Sequence, residues 1–138
     1  MALYISLIDE KRTLIRHATA GAEIRTDVSP EYGGSGQAFS STDLVAAGLG
    51  SCIATNLSKM LPRHGLPLES MQISVGKRLT TAPPKRIAAL TVIIDLDRPV
   101  EEGVRARLLR AAHLCAVHRS LHPEVEVSIE LVCEAHPA

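Results

Sequence analysis

The stretch Ser41-Thr42-Asp43-Leu44-Val45-Ala46-Ala47-Gly48-Leu49-Gly50-Ser51-Cys52-Ile53-Ala54-Thr55-Asn56-Leu57 has one acidic residue near its start and no charge from Leu44 to Leu57. Small residues dominate it. A helix without a charged face is a central helix, covered on more than one side. Its ends are marked in the sequence. Ser40 or Ser41 can serve as N-cap, and Ser40 with Asp43 approximates a capping box, Asp standing where Glu is preferred. Beyond the run, Lys59 and Arg63 suit the negative end of the helix dipole, and Pro62, Gly65 and Pro67 stop the helix.

On the N-terminal side, residues 2–8 and about 12–28 read as strands, joined by the polar turn Asp9-Glu10-Lys11-Arg12 and reversed again near Ala20-Gly21-Ala22. Pro30 and Gly33-Gly34 mark residues 29–36 as a loop. On the C-terminal side, Met71, Ile73 and Val75 alternate with polar or small residues. After the Pro83-Pro84 turn, Leu90, Val92, Ile94 and Leu96 alternate in the same way. A second helix is predicted from about Glu101 to Leu121, with Val104, Leu108, Ala111 and Cys115 on its core face. Val125, Val127, Ile129, Leu131 and Cys133 then give a final strand with one wet face. Strands, helix, strands, helix, strand in that order imply an α+β fold, a curved antiparallel sheet around a central helix, with residues 1–138 as one domain.

The composition excludes several functions. Lys+Arg and Asp+Glu balance at 15 each in 138 residues, so no excess of positive charge points to nucleic acid. One Phe, two Tyr and no Trp offer no base-stacking platform. No segment reaches the length of a membrane span. Met1 to Ile8 is a short apolar stretch ended by Asp9-Glu10, which does not read as a signal peptide. With three cysteines, an odd count, the expected compartment is the reducing cytoplasm.

Cysteine is where the chemistry concentrates. Cys133 shares parity with Val125 and Leu131 and reads as a core residue. Cys52 and Cys115 lie on two separate predicted core helices, which packing can bring face to face as an attacking and a resolving thiol. A nucleophilic thiol must be a thiolate, which needs a cation, a hydrogen-bond donor or a helix N-terminus nearby. Cys52 lies about three turns into its helix, where the dipole has faded. A cation from elsewhere is therefore expected, and Lys11, Arg12, Arg16 and Arg25 are the candidates, though most strand cations simply face solvent. The histidines show no zinc spacing: His113 and His118 are five apart, His17 is alone on its strand, and His64, His122 and His136 read as loop or end residues. No metal and no cofactor are expected. Gly48-Leu49-Gly50-Ser51-Cys52 also lacks the G-x-S-x-G spacing of a serine hydrolase.

Gly33-Gly34 followed by Ser41 to Cys52 resembles the first signature of the OsmC/Ohr family. Cys115-Ala116-Val117 with Leu121 and Val125-Glu126-Val127 resembles its second, and the similarity covers nearly the whole chain. The resemblance implies an intertwined homodimer, each half wrapping strands around two central helices, with two sites at the interface. It implies thiol-dependent reduction of organic hydroperoxides, with Cys52 as peroxidatic thiol, Cys115 as resolving thiol and an external dithiol as reductant. It also implies an activating arginine in the first hairpin, for which Arg12 is the first choice and Lys11 the second. The peroxidase branches carry a Pro-Glu pair at the helix start whose Glu helps hold that arginine. Here Ser41-Thr42 stand at those positions, with Asp43 as the neighbouring carboxylate, which makes the chain more like the general OsmC-like branch. An alternative of another class stays open, a non-catalytic small-ligand or partner-binding module on the same fold.

Overall fold

The computed structural model describes residues 1–133. The chain divides into two compact units, Met1–Val45 and Ala46–Ala138.

The first unit is an antiparallel sheet of β1 (Leu3–Leu7), β2 (Arg12–His17) and β3 (Glu23–Asp27), in that order. The turns fall where polar and small residues were expected, and Gly21 adopts the left-handed conformation at φ 72° that its reversal requires. In register, Ile5 faces Ile15 and Ile15 faces Ile24, so strand alternation builds an apolar row across the sheet. Much of that row is open: Ile5 is 61% exposed and Ile24 43%. After β3, Asp27 is buried and ties down the following loop, accepting hydrogen bonds from the Ser35 hydroxyl and from the Gln37 N–H at 3.1 Å. Gly34 packs so tightly there that a Cβ would run into the Val28 carbonyl.

Helix α1 (Ser41–Ser58) begins as its sequence indicates. The Asp43 N–H donates to Ser40 Oγ at 3.1 Å and the Ser40 N–H donates to Asp43 Oδ2 at 2.9 Å, a complete reciprocal capping box. It ends before Pro62, and Gly65 turns the chain at φ 71°. Ala46, Leu49, Gly50, Ile53 and Leu57 are its buried residues, one stripe at helical spacing. The expectation of cover on several sides is therefore met on one side only within the chain: Ala47, Ser51 and Thr55 are exposed although none is charged.

The second sheet has the order β4 (Met71–Leu79), β5 (Ile87–Leu96), β6 (Glu126–Val132). Leu90, Val92, Ile94 and Leu96 of β5 are buried and pack in one core with Leu49, Ile53 and Leu57 of α1. A Cβ on Gly50 would lie 2.9 Å from Val75 Cγ2, so α1 crosses β4 at this glycine. The fold is α+β as expected, with two corrections. β4 and β5 are antiparallel, but β5 and β6 are parallel. A helical segment joins them and carries the chain back to the same end of the sheet, which forces the parallel sense. That segment is also not one helix: α2 (Glu102–Ala112) stops, and a separate turn of helix α3 (Ala116–Ser120) follows.

Candidate active site

The break between α2 and α3 creates the site. Cys115 lies in it with an extended backbone, φ −77° and ψ 129°, as the N-cap of α3. Its buried Sγ accepts the His118 N–H at 3.4 Å, as a serine or threonine oxygen would at that position. Half-buried Cys52 projects from α1 toward this break, where each thiol shifts the acidity of the other. One turn further along α1, Asn56 Nδ2 donates to the Leu114 carbonyl at 3.5 Å, a second tie between helix and break.

The two sulfurs have opposed acidities. The Cys52 thiol is held below its ordinary range, first by the hydrogen bond from Cys115, then by the Val117 N–H and, more weakly, the Ala116 N–H; burial works against them. Cys115 is pushed up, first by burial and then by its bond to Cys52, against the N–H groups of His118 and Val117. Neighbouring groups that cannot both ionise titrate as a pair, and here the first proton to leave belongs to Cys52. Cys52 is thus the more readily ionised thiol of the pair, and Cys115 the one that holds its proton longer. The sequence-based expectation that Cys52 must find a cation is answered within its own unit by other donors, an S–H and backbone amides freed by the helix break.

Sequence reasoning missed the break because nothing in the pattern marks it. No Gly or Pro occurs between Gly103 and Pro123. Leu108, Ala112 and Cys115, all buried, keep helical intervals straight through it.

The remaining candidates lie in the first unit. Arg12, at the start of β2, donates from Nε to Asp9 Oδ2 at 2.8 Å and places Nη2 2.7 Å from the same oxygen. The hydrogen bond to Asp9 holds its guanidinium above the ordinary value, with a further attraction from Asp27, its cross-strand partner. Lys11 donates from Nζ to the Gly33 carbonyl at 2.6 Å. These residues, with Glu10, Gly34 and Ser35, line an open groove. Arg16 stacks 5.8 Å over the Tyr4 ring and Arg25 is exposed on β3, as strand cations generally are. Asp43 caps α1. Cys133 packs against the core and receives the Arg105 guanidinium at 3.6 Å. His113 and His118 bring their rings to 6.1 Å across the break. Among the described residues no three His, Cys, Asp or Glu side chains are grouped to hold a metal ion, and His136 lies outside those residues.

The family model described as OsmC-like protein matches residues 34–130. The chain belongs to the OsmC-like family. This OsmC-like chain is similar in structure to an osmotic stress induced and detoxification response protein of Psychrobacter arcticus, at 23% identity over 96% of each chain with a TM-score of 0.87. It is also similar to an organic hydroperoxide resistance protein of Legionella pneumophila, at 15% identity over 95% of this chain and 96% of the other, TM-score 0.74. A third likeness is to an organic hydroperoxide resistance protein of Elizabethkingia anophelis, at 12% identity over 97% of each chain, TM-score 0.74. At these identities the likeness establishes the shared α+β fold. No match is found among curated protein sequences. Among the described residues no helix is long and apolar enough to cross a membrane.

Proposed function

We propose that this OsmC-like protein is a cytoplasmic thiol peroxidase that reduces organic hydroperoxides. The observation that carries the reading is the Cys52–Cys115 pair, two neighbouring thiols whose acidities are shifted in opposite directions. The Cys52 thiolate attacks the terminal peroxide oxygen; the O–O bond breaks, the alkoxide takes a proton and leaves as alcohol, and Cys52 becomes a sulfenic acid. Cys115 then attacks that sulfur, forming the Cys52–Cys115 disulfide and releasing water. An external dithiol returns both thiols and is itself oxidised to a disulfide. Arg12 is the cation that orients the peroxide, with Lys11 as the second choice.

The working form is a homodimer built from one OsmC-like domain per chain, in which Arg12 serves Cys52 of the partner subunit. Two surfaces support that assembly: the exposed apolar row of the first sheet and the uncharged, exposed side of α1. The test is addition of tert-butyl hydroperoxide to the reduced protein with thiol counting and intact mass. The expected result is loss of two thiols per chain, with Cys115→Ser stopping at a sulfenic acid on Cys52. Retention of both thiols, or a loss indifferent to Cys52→Ser, refutes the reading.

A further inference from the structure

Arg12 can act on a peroxide only if its guanidinium is aimed, and a free arginine side chain on a hairpin samples many rotamers. The β1–β2 turn contains a device that restricts it. Asp9 Oδ1 accepts the N–H groups of Lys11 at 2.9 Å and of Arg12 at 3.0 Å, so the backbone of the turn fixes the carboxylate. Asp9 Oδ2 is then presented to Arg12, which meets it with Nε and Nη2. Those two nitrogens share one edge of the planar fork. Holding that edge leaves the terminal Nη1–Nη2 edge for a second acceptor. Lys11 differs, since its ammonium is engaged by the Gly33 carbonyl.

The helix-start carboxylate is placed for another task. Asp43 receives the Ser40 N–H and closes the capping box of α1. We infer that Asp9 is the positioning residue of Arg12, gripping the inner edge of its guanidinium so that the outer edge meets the peroxide, the task expected from sequence for Asp43. This inference rests on the peroxidase reading and on Arg12 as its arginine. Asp9 touches neither substrate nor sulfur and acts only through Arg12.

The experiment is a double-mutant cycle on the full chain: wild type, D9N, R12A and D9N/R12A. Each is mixed with tert-butyl hydroperoxide in single turnover, and Cys52 oxidation is followed by rapid alkylation and mass analysis. Asn at position 9 can still accept the turn N–H groups but turns an amide toward the guanidinium, so the hairpin survives while the grip is lost. D9N is expected to slow oxidation at least about fivefold, since small misplacements of an orienting group carry such penalties. R12A slows it at least as much, and D9N/R12A is no slower than R12A. A D9N rate within about twofold of wild type beside a slow R12A overturns the role of Asp9 and leaves Arg12 standing. An equal D9N penalty in the R12A background also overturns it, because Asp9 would then act through the fold. An R12A rate equal to wild type removes Arg12 from the reaction, and Asp9 with it.

Discussion

Gly50→Ala is the substitution that tests most directly how Cys52 is held in place. The added methyl would lie 2.9 Å from Val75 Cγ2 and 3.7 Å from Ile73 Cγ2. Carbon atoms settle about 3.5–4.0 Å apart, so the first contact is short by roughly 0.6–1.1 Å. Val75 is β-branched and has little rotamer freedom with which to yield. Overpacking of this kind costs about 1–3 kcal/mol, while replacing a mid-helix glycine by alanine returns about 1 kcal/mol. The net expectation is about 0–2 kcal/mol of destabilisation. The strain falls two residues before Cys52, so α1 must lift from β4 beside the thiol pair.

Val75→Ala removes the offending methyl, and the sign of the coupling follows. Gly50→Ala/Val75→Ala should be more stable than the sum of the single changes by about 1–3 kcal/mol, the overpacking cost itself. Urea unfolding of the four proteins at one fixed concentration measures this. Alkylation of Cys52 should also change in Gly50→Ala and recover in the double variant. Additivity within about 0.5 kcal/mol would refute the α1–β4 crossing at Gly50 as the constraint on the thiol.

Other outcomes follow from the same structure. Cys115→Ala removes the principal cause of the lowered Cys52 pKa, so the midpoint of Cys52 alkylation against pH should move up; an unchanged midpoint would show that the backbone amides suffice. Ser40→Ala breaks the capping box and should cost about 1 kcal/mol in urea unfolding, with little effect on the rate of Cys52 oxidation. Because the folded-state pKa of Cys52 is depressed, its contribution to stability is complete above the unfolded thiol value of about 8.5 and is lost as pH falls through the lowered value. Cys115, raised by burial, behaves oppositely: its contribution is complete below about 8.5 and is lost as pH rises through the raised value, so Cys115→Ser should flatten the alkaline loss seen in unfolding against pH. The proposed dimer predicts that sedimentation at falling concentration shows no folded monomer accumulating, whereas a compact, active monomer would separate Arg12 from the partner subunit's site.

The parts of this fold that could be read in advance are those governed by local rules. Ser40 and Asp43 announced the start of α1, Pro62 and Gly65 its end, and the period-two alternation of Leu90 to Leu96 announced β5. The meeting of Cys52 with Cys115 was legible as a possibility, since both sat among apolar residues. Two features were not legible, for the same reason. The break before α3 leaves the apolar spacing of Leu108, Ala112 and Cys115 intact, and the parallel pairing of β6 leaves its own alternation unchanged. Periodicity reports which side of an element is buried; it carries no information on where hydrogen bonds lapse or which way a neighbouring strand runs. The share of Cys52 acidity that comes from the Val117 and Ala116 amides was missed with them, because only the break makes those amides available.

One of those amides has an effect beyond acidity. The Val117 N–H favours negative charge on Cys52 and on Cys115 alike. A reductant that opens a disulfide between them must expel one sulfur as an anion, and the departing sulfur is better tolerated where a donor already waits for it. Cys52 is the half-buried sulfur and the one open to attack, whereas Cys115 is buried. Attack on Cys52 expels Cys115, the sulfur whose acidity burial opposes, so the Val117 N–H offsets part of that penalty where the resetting of the proposed disulfide needs it.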